Sequence, residues 1–287
     1  MPELPEVETV RRQLAPKILH RRVLEADSHP SHKFTPAIEL VGASINDARR
    51  RGKFLLFGTN DARELIVHLG MTGSLTTVRP HDFTPDGRHL RAWWALGSAE
   101  SSSLVGLGAG PSDDSVDMIL RFDDTRRFGR IRVVPTGQYD GLPTLAQLGP
   151  EPFDNTLDAK GFAGRLARSK RPIKTNLLSQ RPIAGVGNIY ADEALWLSKI
   201  NPRATRLSVE RAGRLLEAIR DVLAQSLDNG GTTLRDYRDG NGDQGTNQRA
   251  LQAYGREGLP CHQCATSMRS AKIDTRTTTW CPKCQRR

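Results

Sequence analysis

Met1-Pro2-Glu3-Leu4-Pro5-Glu6-Val7-Glu8 opens the chain and supports two readings at once. One is conformational. Pro2 and Pro5 suit the start of a helix, where backbone N–H groups have no partner to lose. Val7, Val10 and Leu14 follow at helical spacing, with Glu6 and Glu8 early and Arg11 and Arg12 later, as the helix dipole favours. The other is chemical. A small second residue allows Met1 to be removed, leaving Pro2 with a free secondary α-amine. Such an amine titrates near ~7.7–8.0, far below a lysine. Its neutral fraction can attack an electrophilic carbon and form an imine, with Glu3 as the adjacent acid. A rigid helix behind the amine makes the two readings compatible.

Outward from this stretch, residues 18–135 read mostly as strands. Phe54-Leu55-Leu56-Phe57 and Glu64-Leu65-Ile66-Val67-His68-Leu69 are short apolar runs. Val116, Met118, Leu120 and Phe122 alternate onto one face, and Arg130-Ile131-Arg132-Val133-Val134 is stopped by Pro135. Several short strands divided by turn clusters suggest a sandwich or barrel. Residues 97–115, rich in Gly and Ser, read as a mobile surface loop. The pattern changes at Gly149-Pro150-Glu151-Pro152. The expected division is a strand domain over 1–135, a linker over 136–152, a helical domain over 153–250 and a hairpin over 251–287.

Beyond the linker, one helix is expected from Ile189 to Ile200. Another runs from a Ser208 cap to about Leu227, with an apolar stripe of Val209, Ala212, Leu215, Leu216, Ile219, Val222 and Leu223. That stripe is core and carries no chemistry. Asp236 to Asn247 is polar and glycine-rich and reads as flexible.

At 287 residues, one large or two modest domains fit. Mean hydropathy is −0.50, and no apolar run approaches the ~18 residues of a membrane span. The acidic, proline-bearing start is unlike a signal peptide, so a soluble cytoplasmic protein, nucleoid-associated and free of membrane, is expected. The net charge of +10 suggests a polyanionic partner such as nucleic acid, although a generally basic surface would give the same number.

All four cysteines lie near the end, as Cys261-His262-Gln263-Cys264 and Cys281-Pro282-Lys283-Cys284. Two Cys-x-x-Cys pairs fit a closed tetrahedral thiolate site for one structural zinc. Two disulfides are the alternative, disfavoured in a reducing compartment. His262 reads as exposed rather than as a ligand. The metal would fold a hairpin presenting Lys272, Arg276 and Trp280.

Four stretches in order resemble formamidopyrimidine-DNA glycosylase, the bacterial oxidised-purine glycosylase family. They are MPELPEVE; Arg51-Gly52-Lys53 with His68-Leu69-Gly70-Met71; Gly185-Val186-Gly187-Asn188-Ile189-Tyr190-Ala191-Asp192-Glu193; and the cysteine cluster. The resemblance implies an α+β fold. It has an N-terminal β-sandwich with a leading helix, a helix–two-turn–helix DNA-binding domain and a β-hairpin zinc finger. It implies a monomer that acts on damaged double-stranded DNA in base excision repair, as a glycosylase and an abasic-site lyase.

The resemblance also assigns roles. Pro2 is the nucleophile, Glu3 protonates the sugar ring oxygen, and Lys53 acts on the phosphate beside the lesion. Arg276 on the hairpin grips the backbone of the damaged nucleotide. Met71, Arg126 and Phe128 fill the gap left by a flipped base, a task that apolar wedges and an arginine suit. Asn188 and the glycine turn before it clamp phosphate; His89 and the neighbourhood of Lys170 and Arg171 supply further DNA contacts. Each residue also has a plain reading: Met71 as strand-end core, Arg126-Arg127-Phe128-Gly129 as a turn, Lys53 as a solvated lysine, Asn188 as a helix-entry residue.

One departure concerns substrate range. Where the family ends its lesion-covering loop in an aromatic pair, this chain has Gly245-Thr246-Asn247-Gln248. An oxidised-pyrimidine glycosylase of the endonuclease VIII type is an alternative, against which MPELPE and GVGNIYADE speak. A non-catalytic zinc-bearing DNA-binding module is another, disfavoured by the intact Pro2, Glu3 and Lys53 set.

Overall fold

In the computed structural model, which describes residues 1–98 and 116–286, the chain divides into two compact units. The first comprises Met1–Pro2, Glu6–Pro143 and Gly230–Gly245; the second comprises Glu3–Pro5, Thr144–Asn229 and Thr246–Arg287.

Helix α1, Leu4–Ile18, buries Val7, Val10 and Leu14 completely, the stripe expected from their spacing, and carries it one turn further to Ile18. Among the described residues, eight strands follow: β1 Arg21–Ser28, β2 Ile45–Arg51, β3 Phe54–Thr59, β4 Arg63–His68, β5 Gly73–Val78, β6 Leu90–Ser98, β7 Met118–Asp124 and β8 Arg130–Pro135. They form two antiparallel four-stranded sheets, ordered β1-β6-β7-β5 and β2-β3-β4-β8. Leu55, Phe57, Leu65 and Val67 from one sheet share a core with Trp94, Leu96, Leu120 and Phe122 from the other. In β7 the alternation holds: Leu120 and Phe122 point inward, while Arg121 Nε donates to Asp123 at 2.7 Å outside the core. Val116 lies before the strand.

Three sequence expectations change here. Gly97 and Ser98, which the composition of 97–115 places in a loop, extend β6 and pair with Arg22 and Arg21 of β1. Strand pairing satisfies their backbone groups, which matters more than small side chains; the rest of that loop, 99–115, lies outside the described residues. The strand-rich unit also runs past 135. Gly137 N–H and Tyr139 O–H donate at 3.3 and 2.7 Å to Glu64, which is fully buried in β4. Finally, the polar 236–247 stretch is not without partners. Gln13 Nε2 donates to Asp239 Oδ2 at 2.7 Å, Gly240 N–H donates to Gln13 Oε1 at 2.7 Å, and Asp239 accepts from the N–H of Asn241 and Asp243. Hydrogen bonds order a segment that has no apolar face of its own.

The second unit is helical. After the short α2, Pro143–Ala146, come α3 Ala159–Ala167, α4 Ile173–Leu178, α5 Asn188–Leu197 and α6 Val209–Asp228. Ser208 caps α6 by accepting from Arg211 N–H at 3.3 Å. Ala212, Leu215, Leu216, Ile219 and Leu223 are buried as expected, but Val209 in the first turn is exposed. Helix α5 stops three residues short of Ile200, because Lys199 takes a left-handed φ of 56°.

Glu193 of α5 accepts from the N–H groups of Gln252, Ala253 and Tyr254 at 2.7–2.8 Å, fixing the chain that leads to the cysteines. Strands β9 Arg269–Ile273 and β10 Arg276–Trp280 then form the hairpin. Asp274 and Thr275 both adopt positive φ at its tip, 44° and 67°, the conformation that matches strand twist in a two-residue turn.

Candidate active site and metal centre

In the helical unit, Glu3 is 2% exposed and faces the start of α5. Its carboxylate accepts from Gly187 N–H at 2.6 Å, Ile189 N–H at 2.9 Å and, more distantly, Tyr190 N–H at 3.5 Å. These are N–H groups that a helix cannot satisfy within itself. The glycine turn makes the approach possible: Gly185 has φ +80° and its carbonyl accepts from Leu4 N–H at 3.1 Å. A Cβ on Gly185 would lie 2.6 Å from Leu4 Cβ. Residues 3–5 are thereby locked to the helix start; Pro2, which precedes them in the chain, is buried.

Asn188, the first residue of α5, donates through Nδ2 to Thr277 O of the hairpin at 3.3 Å. Beneath it lies a fully buried ion pair, Lys174 Nζ to Asp192 Oδ1 at 2.7 Å. Lys174 also donates to Thr277 O at 3.0 Å and Thr278 Oγ1 at 2.9 Å, while Asp192 Oδ2 accepts from Thr279 N–H at 3.0 Å. Burial presses both groups toward their neutral forms, pushing Asp192 up to about 7 and Lys174 down. Strand β10 is therefore held to α4 and α5 along its length, and Arg276 stands exposed at its start.

In the strand-rich unit, Lys53 lies in the two-residue β2–β3 turn and is only 3% exposed, so it is not the solvated lysine of the plain reading. His68 at the end of β4 is its electrostatic neighbour. Burial, reinforced by the charges of Lys53 and Arg130, pushes His68 down to about 4. His68 Nδ1 accepts from Gly70 N–H at 3.0 Å, which places the ring proton on Nε2.

Met71, Arg126 and Phe128 come together through Asp124, which is fully buried. Asp124 accepts from Thr72 Oγ1 at 2.5 Å, Arg126 N–H at 3.2 Å and Gly129 N–H at 2.7 Å. Thr72 Oγ1 in turn accepts from Arg126 N–H at 3.0 Å. Gly70, at φ +67°, lets the two loops touch: a Cβ there would meet Gly129 N at 2.5 Å. The result is an exposed pair of tips. Phe128 is 49% exposed with the Arg126 guanidinium 4.8 Å over its ring, and Met71 is half-buried. A phenylalanine this exposed is not the core residue that its type suggests.

His89 joins this group only through its backbone, its carbonyl accepting from Asp124 N–H at 2.9 Å; its side chain is exposed. Lys170 and Arg171 are exposed on the turn between α3 and α4. In the stretch Gly245-Thr246-Asn247-Gln248, Asn247 is buried and its Oδ1 accepts from Asn229 Nδ2 at 3.1 Å.

The four cysteine sulfurs all lie within 4.8 Å of one another. Cys264 and Cys281 Sγ are 3.5 Å apart, well beyond a disulfide bond of ~2.05 Å. A tetrahedral ion with metal–sulfur bonds of ~2.3 Å needs sulfurs about 3.8 Å apart, so the donor set fits a metal ion. Trp196 Nε1 and Cys284 N–H donate to the sulfurs of Cys261 and Cys281, each at 3.4 Å. His262 is exposed.

Residues 1–131 match the formamidopyrimidine-DNA glycosylase N-terminal domain, and residues 148–238 match the formamidopyrimidine-DNA glycosylase H2TH domain. The chain belongs to the formamidopyrimidine-DNA glycosylase family. A formamidopyrimidine-DNA glycosylase from Deinococcus radiodurans is 39% identical over 299 residues, covering 99% of this chain and 97% of that one. One from Moorella thermoacetica is 43% identical, with 92% of each chain covered. The crystal structure of the MutM (Fpg) protein from Thermus thermophilus has a TM-score of 0.84 at 41% identity, over 99% of this chain and 98% of that one. A Lactococcus lactis Fpg mutant in complex with a Fapy-dG containing DNA has a TM-score of 0.85 at 32% identity, over the whole of both chains.

Among formamidopyrimidine-DNA glycosylase motifs, the stretch Gly185–Glu193 contains Asp192, but its buried partner Lys174 and the buried Asp124 lie outside every motif quoted above. Lys174 sits in Ile173–Leu178, a segment whose other members Thr175, Asn176 and Leu177 are also buried.

Proposed function

We propose that this chain is a bifunctional DNA glycosylase and abasic-site lyase that removes oxidised purines, 8-oxoguanine and formamidopyrimidines, from duplex DNA. The observation that carries the reading is the locked N-terminus: Glu3 bound by the first amides of α5, one residue after Pro2.

With Met1 removed, the Pro2 nitrogen attacks C1′ of a flipped nucleotide and the base leaves with the electrons of the glycosidic bond. Glu3 passes a proton to the ring oxygen, the ring opens, and the nitrogen and C1′ become an iminium. A secondary amine yields a permanently charged iminium, which acidifies C2′–H. Loss of that proton expels the 3′ phosphate, and a second elimination expels the 5′ phosphate. The product is a one-nucleotide gap with phosphate at both ends. Lys53, buried beside His68, acts on the phosphate next to the lesion. Arg276 and Asn188 hold backbone phosphates, with further contacts from His89 and Lys170. Met71, Arg126 and Phe128 occupy the vacated stack. Cys261, Cys264, Cys281 and Cys284 hold one structural zinc, which organises the hairpin and takes no part in the chemistry.

Borohydride trapping on lesion DNA, followed by peptide mapping, tests this. The adduct is expected on Pro2 alone, and protein that retains Met1 neither traps nor cleaves while still binding DNA. An adduct on Lys53, or normal cleavage with Met1 retained, overturns the mechanism.

A further inference from the structure

Glu8 lies on the second turn of α1, six residues after Pro2, and its carboxylate gathers three guanidinium groups. Arg11 Nε and Nη2 donate to it at 3.0 and 2.8 Å, Arg12 Nε at 2.9 Å, and Arg50 Nε at 3.2 Å. The first two are neighbours on the same helix and would serve any surface helix. Arg50 is different, because it comes from β2. Its Nη1 donates to Gly52 O at 3.0 Å, the carbonyl immediately before Lys53. Gly52 turns the chain at φ +57°. Arg11 makes a parallel contact, donating through Nη1 to Ala48 O of β2 at 3.2 Å. The carboxylate and Arg50 are shielded from water, with side chains 12% and 11% exposed.

The arrangement is a fork. One carboxylate aims two guanidinium planes, and each plane grips a carbonyl of the hairpin that carries Lys53. Guanidinium geometry is rigid, so the carboxylate fixes where those carbonyls stand relative to the helix. The geometry points to Glu8 and Arg50 as positioning residues that set the Lys53 ammonium at a fixed place relative to the amine-bearing end of α1. Neither touches DNA; both act through Lys53. The inference rests on the proposed roles of Pro2 and Lys53.

The test is a double-mutant cycle on single-turnover cleavage of abasic-site DNA, run beside borohydride trapping of the unsubstituted protein. Glu8→Gln keeps the shape and removes the charge that aligns Arg50. It is expected to slow cleavage about tenfold, since misplacing a catalytic group by less than an ångström is enough. The DNA concentration for half-maximal rate moves less than about twofold. In a Lys53→Ala background, Glu8→Gln has no further effect, because a group that acts through Lys53 is silent without it. Arg50→Lys keeps the charge but loses the reach to Gly52 O and gives the same pattern, which serves if Glu8→Gln fails to fold. Losses that multiply across the cycle, or wild-type cleavage in both variants, overturn the inference. Absence of a Pro2 adduct in the unsubstituted protein overturns the underlying reading instead.

Discussion

Replacing His68 by asparagine should remove a specific acid sensitivity from the strand-rich unit. In the folded chain His68 is held neutral, with its affinity for protons pushed down to about 4 by burial and by Lys53 and Arg130. In the unfolded chain it titrates near its ordinary 6.5. Between those two values the unfolded chain takes up a proton that the folded chain refuses, so falling pH favours unfolding. At about 1.4 kcal/mol per pH unit, the gap amounts to roughly 3 kcal/mol of stability. It is fully present above about 6.5 and lost as pH falls toward about 4. Asparagine keeps an acceptor for Gly70 N–H and cannot protonate. It leaves a small cavity whose cost does not depend on pH. Urea unfolding of both proteins at several pH values from about 4.5 to 7 measures the difference. The wild type should lose stability relative to the variant across this window. Parallel curves would show that His68 protonates equally well folded and unfolded, and that Lys53 does not crowd it.

Asp192→Asn should cost about 3–5 kcal/mol, because Lys174 keeps its burial and loses its counter-charge. Replacing both with apolar residues of similar size should recover most of that loss, read in the same urea titrations. Cys264→Ser should release metal and weaken DNA binding while leaving the strand-rich unit folded, checked by elemental analysis and by the circular dichroism of the sheets. Phe128→Ala should slow lesion processing in duplex DNA about tenfold or more yet leave a pre-formed abasic site nearly unaffected, since unstacking costs a few kcal/mol only when a base must be extruded. Equal losses on both substrates would contradict the wedge.

Local pattern made much of this legible. The apolar runs at Phe54 and Leu65 became adjacent strands, Ser208 caps α6, and the cysteine spacing brought four sulfurs together. Contacts distant in sequence were not legible. Glu8 with Arg50, Lys174 with Asp192, and Asp124 with Thr72 are charged or polar groups whose types suggest solvent. They are buried or half-buried because a partner arrives from elsewhere, and no periodicity encodes the partner. Residues 236–247 failed for the same reason: a polar segment without an apolar stripe reads as disordered until Gln13 and Glu6 supply its hydrogen bonds.

The two compact units each borrow a piece of chain from the far side of the sequence, Glu3–Pro5 in one case and Gly230–Gly245 in the other. This bears on how the protein is made. The ribosome delivers both four-stranded sheets early, but Thr232 N–H, which reaches Glu6 at 2.7 Å, and Asp239, which receives Gln13, emerge only after the helices have been synthesised. Until then Glu6, 1% exposed in the finished fold, has no such donor. The first unit to appear therefore stays incomplete until most of the second has been made, and a chain cut anywhere between residues 144 and 229 should yield two incomplete pieces rather than two domains.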